Sequence, residues 1–157
     1  MKIVLLGKGA AGKDFLRKRF IERGARYGVS YTSRQPREGE VNGKDYLFIS
    51  REEFEQRIAN NEFVEYQEFN GWYYGMTKDV FEDCNVMILN VEGLALLSPE
   101  LRAKCFVIYL DIDKETRLQR LSERNDNQDS IERRIQADDN QFIGFTDYDL
   151  KITNPDF

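Results

Sequence analysis

The sequence of 157 residues contains no histidine. This absence excludes histidine-dependent catalytic triads, zinc sites built on imidazole and the most common general base. Cysteine is also scarce, since Cys84 and Cys105 lie in or beside apolar runs without the spacing of metal ligands. We interpret both as small core residues of a protein in a reducing compartment. Chemistry must therefore rest on Arg, Lys, Asp, Glu, Tyr and backbone amides.

Long hydrophobic runs and an excess of basic charge are missing as well. No window approaches the roughly 18 apolar residues that span a bilayer, and Met1 leads into an apolar run without the regions of a signal peptide. The net charge of -5 and the pI near 5.0 argue against binding a nucleic-acid backbone by bulk electrostatics. We predict a cytoplasmic protein without membrane or nucleic-acid partners, and monomer and dimer both remain open.

What is present fits one α/β domain. Three short apolar runs rich in β-branched residues predict buried parallel strands: 3–6, 86–91 and 106–110. Helical patterns separate them, with apolar spacing in 15–21, 116–121 and 131–135. Strands that alternate with helices indicate a parallel sheet covered by helices on both faces.

The stretch from about 29 to 76 differs in composition from the rest of the chain, because it is rich in aromatic residues and turn signals. Asn42-Gly43 and Asn70-Gly71 are hairpin-type turns, and Ser50 with Glu53 forms a capping-box pattern before a helix. We predict a small antiparallel sheet inserted between two core segments, 1–28 and 77–157.

A phosphate-binding loop opens the chain. The run of Gly7, Lys8, Gly9, Ala10, Ala11, Gly12 and Lys13 fits G-x-x-x-x-G-K, follows a predicted strand and precedes a predicted helix. In this context the glycines let backbone N–H groups surround phosphates, the helix N-terminus adds its positive dipole end, and Lys13 reaches the β and γ oxygens.

One position of the loop departs from this pattern. The motif calls for Ser or Thr after the lysine to place a hydroxyl on magnesium, and this chain has Asp14. A carboxylate suits Mg²⁺ as a hard oxygen ligand, although it adds negative charge near a triphosphate. We interpret Asp14 as a variant ligand for Mg²⁺.

A second motif begins at Ser30. The segment SYTSRQPREGEVNGKDY, residues 30–46, strongly resembles the guanylate kinase signature S-x-T-T-R-x-P-R-x-G-E-x-x-G-x-x-Y. EFVEY at 62–66 and GWYYG at 71–75 resemble the acidic strand and hairpin of that family, in the same order. The resemblance covers nearly the whole chain and implies a P-loop kinase core with ATP and Mg²⁺ as cofactors and a helical lid.

Several residues of these segments are suited to phosphate binding on physical grounds alone. Arg34 and Arg37 are planar donors that can hold a dianionic phosphate, and Tyr46 and Tyr74 offer hydroxyls to the remaining oxygens. The alternative is that these are solvated arginines and packing tyrosines. The resemblance implies that all four hold the phosphate of GMP.

Guanine presents two donors on its Watson-Crick edge, so an acidic side chain is its natural partner. Glu65 fits this role, because adenine would leave a buried carboxylate unpaired. The resemblance implies that Ser30 donates to the guanine oxygen. It also implies an aspartate pair where this chain has Asn90 and Glu92, which keeps one charge at Glu92 and puts strict base selectivity in question.

Arginines at helical spacing surround a polar gap from Asn125 to Ser130. Such a charged pair of helices is often only a solvated face. The resemblance implies instead a lid, about 117–134, in which Arg120, Arg124 and Arg134 reach over ATP. It also places Asn154 near the adenine, where a turn residue is the alternative.

We therefore expect an enzyme that transfers the γ-phosphoryl group of ATP to GMP or dGMP. Lys13 and the lid arginines would act on the transferred group, without a covalent intermediate or a dedicated general base. Two alternatives stay open: a broader deoxynucleoside monophosphate kinase, and a guanylate kinase-like domain that has lost catalysis and binds proteins.

Overall fold

The computed structural model describes residues 1–124 and 128–157. Within them the strands, in chain order, are β1 (Lys2–Gly7), β2 (Tyr27–Gly28), β3 (Tyr31–Thr32), β4 (Leu47–Phe48), β5 (Phe63–Phe69), β6 (Trp72–Thr77), β7 (Val86–Ile88), β8 (Cys105–Leu110) and β9 (Leu150–Ile152). The helices are α1 (Lys13–Glu22), α2 (Arg51–Ala59), α3 (Lys78–Asp83), α4 (Val91–Ala95), α5 (Pro99–Arg102), α6 (Lys114–Glu123) and α7 (Gln128–Gln141).

A five-stranded sheet forms the core in the order β2-β7-β1-β8-β9, with every neighbouring pair parallel. The three predicted strands are its centre, β7, β1 and β8. The second ends earlier than expected, at Ile88, because the side chain of Asn90 accepts a hydrogen bond from the Gly93 N–H (2.7 Å) and starts α4. The edge strands β2 and β9 were not predicted.

Helices cover this sheet on both faces, as the α/β pattern predicts. Alternate residues of β1 point to opposite faces, so Val4 and Leu6 join one apolar cluster and Leu5 joins the other. Leu16 and Phe20 of α1 pack on the face of Leu5, while α3, α4 and Phe142, directly after α7, contribute to the other face.

A second sheet, in the order β4-β3-β6-β5, lies in the predicted insert. The β3–β6 and β5–β6 pairs are antiparallel as expected, whereas β4 joins β3 in parallel. Asn70 and Gly71 both have positive φ (55° and 84°), which is the backbone that a two-residue hairpin requires. The hydroxyl of Ser50 accepts from the Glu53 N–H (3.0 Å) and caps α2.

The helices α6 and α7 lie over the phosphate loop. Leu121, Ile131 and Ile135 form an apolar cluster with Ala10 of that loop, which holds both helices against the core. Of the predicted polar gap, residues 125–127 lie outside the described part of the chain. No described helix combines the length and the apolar character needed to cross a bilayer.

Candidate functional site

The phosphate loop connects β1 to α1 as the sequence predicts. β1 ends at Gly7 and α1 begins at Lys13. Gly12 has a φ of 102°, in the left-handed region that favours glycine. A Cβ at Gly7 would lie 2.9 Å from the Leu110 carbonyl oxygen, so only glycine lets the loop pass this close to β8. The backbone of the loop is therefore shaped by its glycines.

Lys13 sits inside this loop. Its ammonium donates to the carbonyl oxygens of Gly7 (2.5 Å) and Lys8 (3.0 Å). Burial lowers the pKa of Lys13, and the carboxylates of Asp138 and Asp14 act in the opposite direction. Lys13 is among the wall residues of two cavities.

Two carboxylates of α7 contact the loop. Asp138 Oδ2 accepts a hydrogen bond from the Gly9 N–H (2.7 Å), and Asp139 Oδ1 lies 2.6 Å from the Lys8 ammonium. The Gly9 N–H is of the kind that a loop of this type offers to phosphate oxygens. An internal carboxylate therefore occupies a position that an anionic ligand can use.

The first cavity, about 550 Å³, lies between the loop and the end of the chain; we call it the donor cavity. Its walls are residues 9–15, Arg120, Arg124 and residues 155–157. Arg120 donates to the carbonyl oxygens of Ala10 (3.0 Å) and Pro155 (3.1 Å), so it ties α6 to both walls.

Asp14 also lines the donor cavity, with 63% of its side chain exposed. Its carboxylate lies 3.3 Å from the buried guanidinium of Arg17. Within residues 1–124 and 128–157, no three acidic or cysteine side chains form a cluster that could hold a metal ion. Any metal here would depend on Asp14 together with ligand oxygens.

Asn154 lies beside the donor cavity. Its side chain accepts from the Asp156 N–H (3.0 Å), which makes a local turn, and it is exposed. The three residues that follow line the cavity, and Asn154 is not among its walls. Its predicted contact with adenine stays a prediction.

The second cavity, about 610 Å³, lies between the second sheet and the carboxyl end of β7; we call it the acceptor cavity. It brings together most of the residues predicted for the acceptor nucleotide. These lining residues are Ser30, Arg34, Arg37, Tyr46, Glu65 and Tyr74, joined by Lys13 and Arg134.

Arg34 is buried and bound to an acidic partner. Its terminal nitrogens lie 2.8 and 3.1 Å from the two carboxylate oxygens of Glu40, a bidentate ion pair. Glu40 also accepts from the Arg37 N–H (2.7 Å). Glu40 therefore fixes both the orientation of Arg34 and the turn that carries Arg37.

Positive charge is concentrated at this end of the cavity. Partial burial lowers the pKa of Arg37, and the neighbouring charges of Arg34 and Arg134 lower it further. Such mutual repulsion is relieved when an anion binds between the cations. The cluster is therefore electrostatically suited to a phosphate.

Tyr46 and Tyr74 lie side by side, with ring centroids 6.0 Å apart. Burial raises the pKa of Tyr46 above its ordinary value. Its hydroxyl therefore keeps its proton at neutral pH and can donate a hydrogen bond to an anion.

Glu65 lies deeper in the cavity and is only 5% exposed. Burial raises the pKa of its carboxyl to about 8, partly offset by a hydrogen bond from the Met76 N–H. The carboxyl of Glu65 therefore keeps its proton to a higher pH than an exposed glutamate does. A ligand that donates hydrogen bonds to the carboxylate would favour ionisation.

Glu92 is placed differently from the other predicted acceptor residues. It is exposed in the first turn of α4 and is not among the walls of the acceptor cavity. Asn90, two residues earlier, does line the cavity.

The structure adds three site residues that the sequence interpretation did not assign: Glu40, Gln67 and Asp138. Glu40 stands inside the quoted signature, so its position offered a signal. Gln67 follows Glu65 by two residues on a strand, which places both on one face. Asp138 carries no local signal, because its contact joins positions 129 residues apart.

The fold and the site define a P-loop α/β protein with two cavities that are lined by basic residues and share Lys13. The matches to known proteins specify the family. A family model described as guanylate kinase matches residues 1–157.

Individual relatives agree with this match. A guanylate kinase from Lactobacillus delbrueckii subsp. bulgaricus is 33% identical over 162 residues, covering 97% of this chain and 79% of the relative. One from Geobacter metallireducens is 34% identical over 163 residues, covering 98% and 80%. The crystal structure of guanylate kinase from Anaplasma phagocytophilum has the same fold, with a TM-score of 0.71 at 24% identity, covering 98% of this chain and 76% of that one. The chain belongs to the guanylate kinase family.

Proposed function

We propose that the protein transfers the γ-phosphoryl group of ATP to GMP or dGMP, giving ADP and GDP or dGDP. The observation that carries this proposal is Lys13, which lines the donor and the acceptor cavity at once. An ammonium between two phosphate sites can neutralise both reacting groups.

On the donor side, the N–H groups of the loop, residues 7–13, would hold the phosphates of ATP. Arg120 and Arg124 line the same cavity and would add positive charge around the transferred group. The Asp138 carboxylate would leave the Gly9 N–H as the phosphates enter, because both compete for one donor. Asn154 would lie beside the adenine, next to the turn that closes the cavity.

Mg²⁺ fits this site through Asp14. Magnesium is usually held by one or two carboxylates together with substrate phosphates rather than by an all-protein cage. The exposed carboxylate of Asp14 lines the donor cavity and would be the protein's ligand. When bound, Mg²⁺ neutralises charge on the donor phosphates.

On the acceptor side, Arg34, Arg37, Tyr46 and Tyr74 would hold the monophosphate. The lowered pKa of Arg37 beside Arg34 and Arg134 supports this, because the clustered cations gain a counter-ion on binding. Glu92, exposed in the first turn of α4, would contact GMP only if its side chain turned toward the cavity.

Glu65 and Ser30 would recognise the base. The ionised carboxylate accepts hydrogen bonds from N1 and the 2-amino group of guanine, which compensates for the loss of solvent around the charge. Adenine has an acceptor instead of a donor at N1, so it cannot pair with the ionised carboxylate of Glu65.

The reaction itself needs little covalent help from the protein. An oxygen of the acceptor phosphate forms a bond to the γ phosphorus, while the bond from that phosphorus to the β–γ bridging oxygen breaks. The acceptor oxygen is already anionic at neutral pH, so no general base is required. Lys13 and the arginines of α6 and α7, including Arg134, would stabilise the charge spread over the transferred group.

Two experiments test the proposal. The first measures ADP release over GMP, dGMP, AMP, dTMP and CMP, with and without Mg²⁺. Activity on GMP or dGMP alone supports the proposal, and activity over several bases supports the broader deoxynucleoside monophosphate kinase. Activity on none of them supports the protein-binding domain.

The second experiment replaces Lys13 by alanine. We expect turnover to fall at least about a thousandfold, because the charge is lost where the transition state needs it. Lys18→Ala, on the exposed face of α1, is the matched control and should retain normal turnover. Near-normal turnover of Lys13→Ala with its fold intact would refute the mechanism.

A further inference from the structure

Gln67 is a buried amide in the acceptor cavity that the proposed reaction does not yet use. It is 9% exposed and lies among the walls of that cavity. It follows Glu65 by two residues on β5, so the two side chains project from the same face of the strand. Both residues therefore line the same part of the acceptor cavity.

Hydrogen bonds fix the orientation of this amide. The Gly93 N–H donates to Asn90 Oδ1 (2.7 Å), and a backbone N–H can only donate, so the oxygen of Asn90 is identified. Gln67 Nε2 donates to that same oxygen. The carbonyl oxygen of Gln67 is thereby turned away from Asn90.

This carbonyl oxygen lacks a hydrogen-bond partner. Gln67 Oε1 is buried and accepts from no group whose position the structure describes, which leaves out residues 125–127 and the side chains of 128–130. A buried acceptor without a donor is costly, and native proteins rarely keep one unless a ligand or water completes it. A ligand that brings a hydrogen-bond donor to this oxygen would supply the missing partner.

Glu65, Gln67 and Asn90 converge on one small volume over Gly93. A Cβ on that glycine would lie 3.0 Å from Glu65 Oε2, 3.1 Å from Asn90 Oδ1 and 3.3 Å from Gln67 Nε2. The side chains at positions 65 and 67 are thus close enough to bind neighbouring atoms of a single base.

We infer that Gln67 determines specificity for the exocyclic amino group of guanine, an inference that rests on the proposed function. The 2-amino group has two hydrogens, and Glu65 would take one of them together with N1–H. The second hydrogen points away from N1, toward N3, and Gln67 Oε1 accepts it. Both hydrogens of the amino group would thus be hydrogen-bonded, one to Glu65 and one to Gln67.

The first test uses the unaltered protein and changes the ligand. Isothermal titration calorimetry measures binding of GMP, N2-methyl-GMP and inosine monophosphate, which carries no amino group. We expect GMP to bind about tenfold more tightly than N2-methyl-GMP, since the methyl group removes the hydrogen that Gln67 would accept. Inosine monophosphate should bind more weakly still.

The second test replaces Gln67 by methionine, which has a similar volume and offers no comparable acceptor. The preference for GMP over N2-methyl-GMP should shrink from about tenfold to less than about twofold. Gln56→Met, exposed on α2, is the matched control and should keep the full preference. A merely structural role of Gln67 would weaken both ligands equally and leave their ratio unchanged.

The outcomes separate this inference from the proposed function. Equal binding of GMP and N2-methyl-GMP by the unaltered protein, or an unchanged ratio in Gln67→Met, overturns the inference, including the case in which Gln67 accepts from a ribose hydroxyl instead. GMP that binds with the expected preference but is not phosphorylated overturns the proposed function alone. Failure of GMP to bind at all overturns both.

Discussion

The free energy of unfolding should depend on pH through the buried carboxyl of Glu65. Burial raises the pKa of this group from its ordinary 4.5 to about 8. The folded protein therefore binds this proton more tightly than the unfolded chain does. The resulting stabilisation is complete below the unfolded pKa and is lost as the pH rises through the folded pKa.

The size of the effect follows from the two pKa values. Each pH unit between them changes the free energy of unfolding by about 1.4 kcal/mol, so raising the pH from about 5 to about 8 removes about 4 kcal/mol. The chain has no histidine to titrate in this range. The pKa values of Glu40 and Asp45 are lowered, so these groups have lost their protons before the range begins.

The assay is urea denaturation of the protein without nucleotides, at about pH 5 and about pH 8. Glu65→Gln is the matched variant, because its side chain stays neutral at both pH values. The unaltered protein should lose about 4 kcal/mol more than the variant. The lowered pKa of Lys13 can add its own slope, but that slope is common to both proteins and cancels. Parallel pH dependence in the two proteins would refute the assignment of a raised pKa to Glu65.

Three further predictions concern ligand binding. The affinity for GMP should increase up to about tenfold per pH unit as the pH rises toward about 8, because binding requires the ionised form of Glu65. Calorimetry at several pH values measures this affinity. An affinity that does not change with pH would contradict the prediction. Asp138→Ala should tighten ATP binding several-fold by freeing a phosphate-loop N–H. Equal affinities in a titration with ATP would count against competition. Glu40→Gln should raise the KM for GMP about tenfold by releasing Arg34 from its ion pair, with the KM for ATP unchanged; a parallel rise in both KM values would instead indicate general damage to the fold.

Much of the fold could be predicted because its signals are local. The apolar run of β1, the glycines after it and the start of α1 are contiguous, so one segment specifies strand, loop and helix. The Asn70-Gly71 turn is equally local, since two residues determine its backbone. The edge strands β2 and β9 escaped prediction because they are two and three residues long and carry too little apolar pattern.

The residues of the candidate site could likewise be predicted only where their signals are local in the sequence. The residue types at Arg34, Glu65 and Tyr74 stood in recognisable segments, and the structure brings all three to one cavity. The ion pair between Arg34 and Glu40 forms only when the turn is folded. The orientation of Gln67 is fixed by its hydrogen bond to Asn90, the N-cap of α4. Such contacts depend on which elements meet in space, which a linear pattern does not state.

Because Lys13 is a wall residue of both cavities, the proposed binding of the two nucleotides would be interdependent. Phosphates that enter one cavity consume part of the positive potential that the other cavity offers. By thermodynamic reciprocity, the factor by which ATP changes the affinity for GMP must equal the factor by which GMP changes the affinity for ATP. A single ammonium would thus couple the affinities for the two substrates, so that each affinity depends on whether the other cavity is filled.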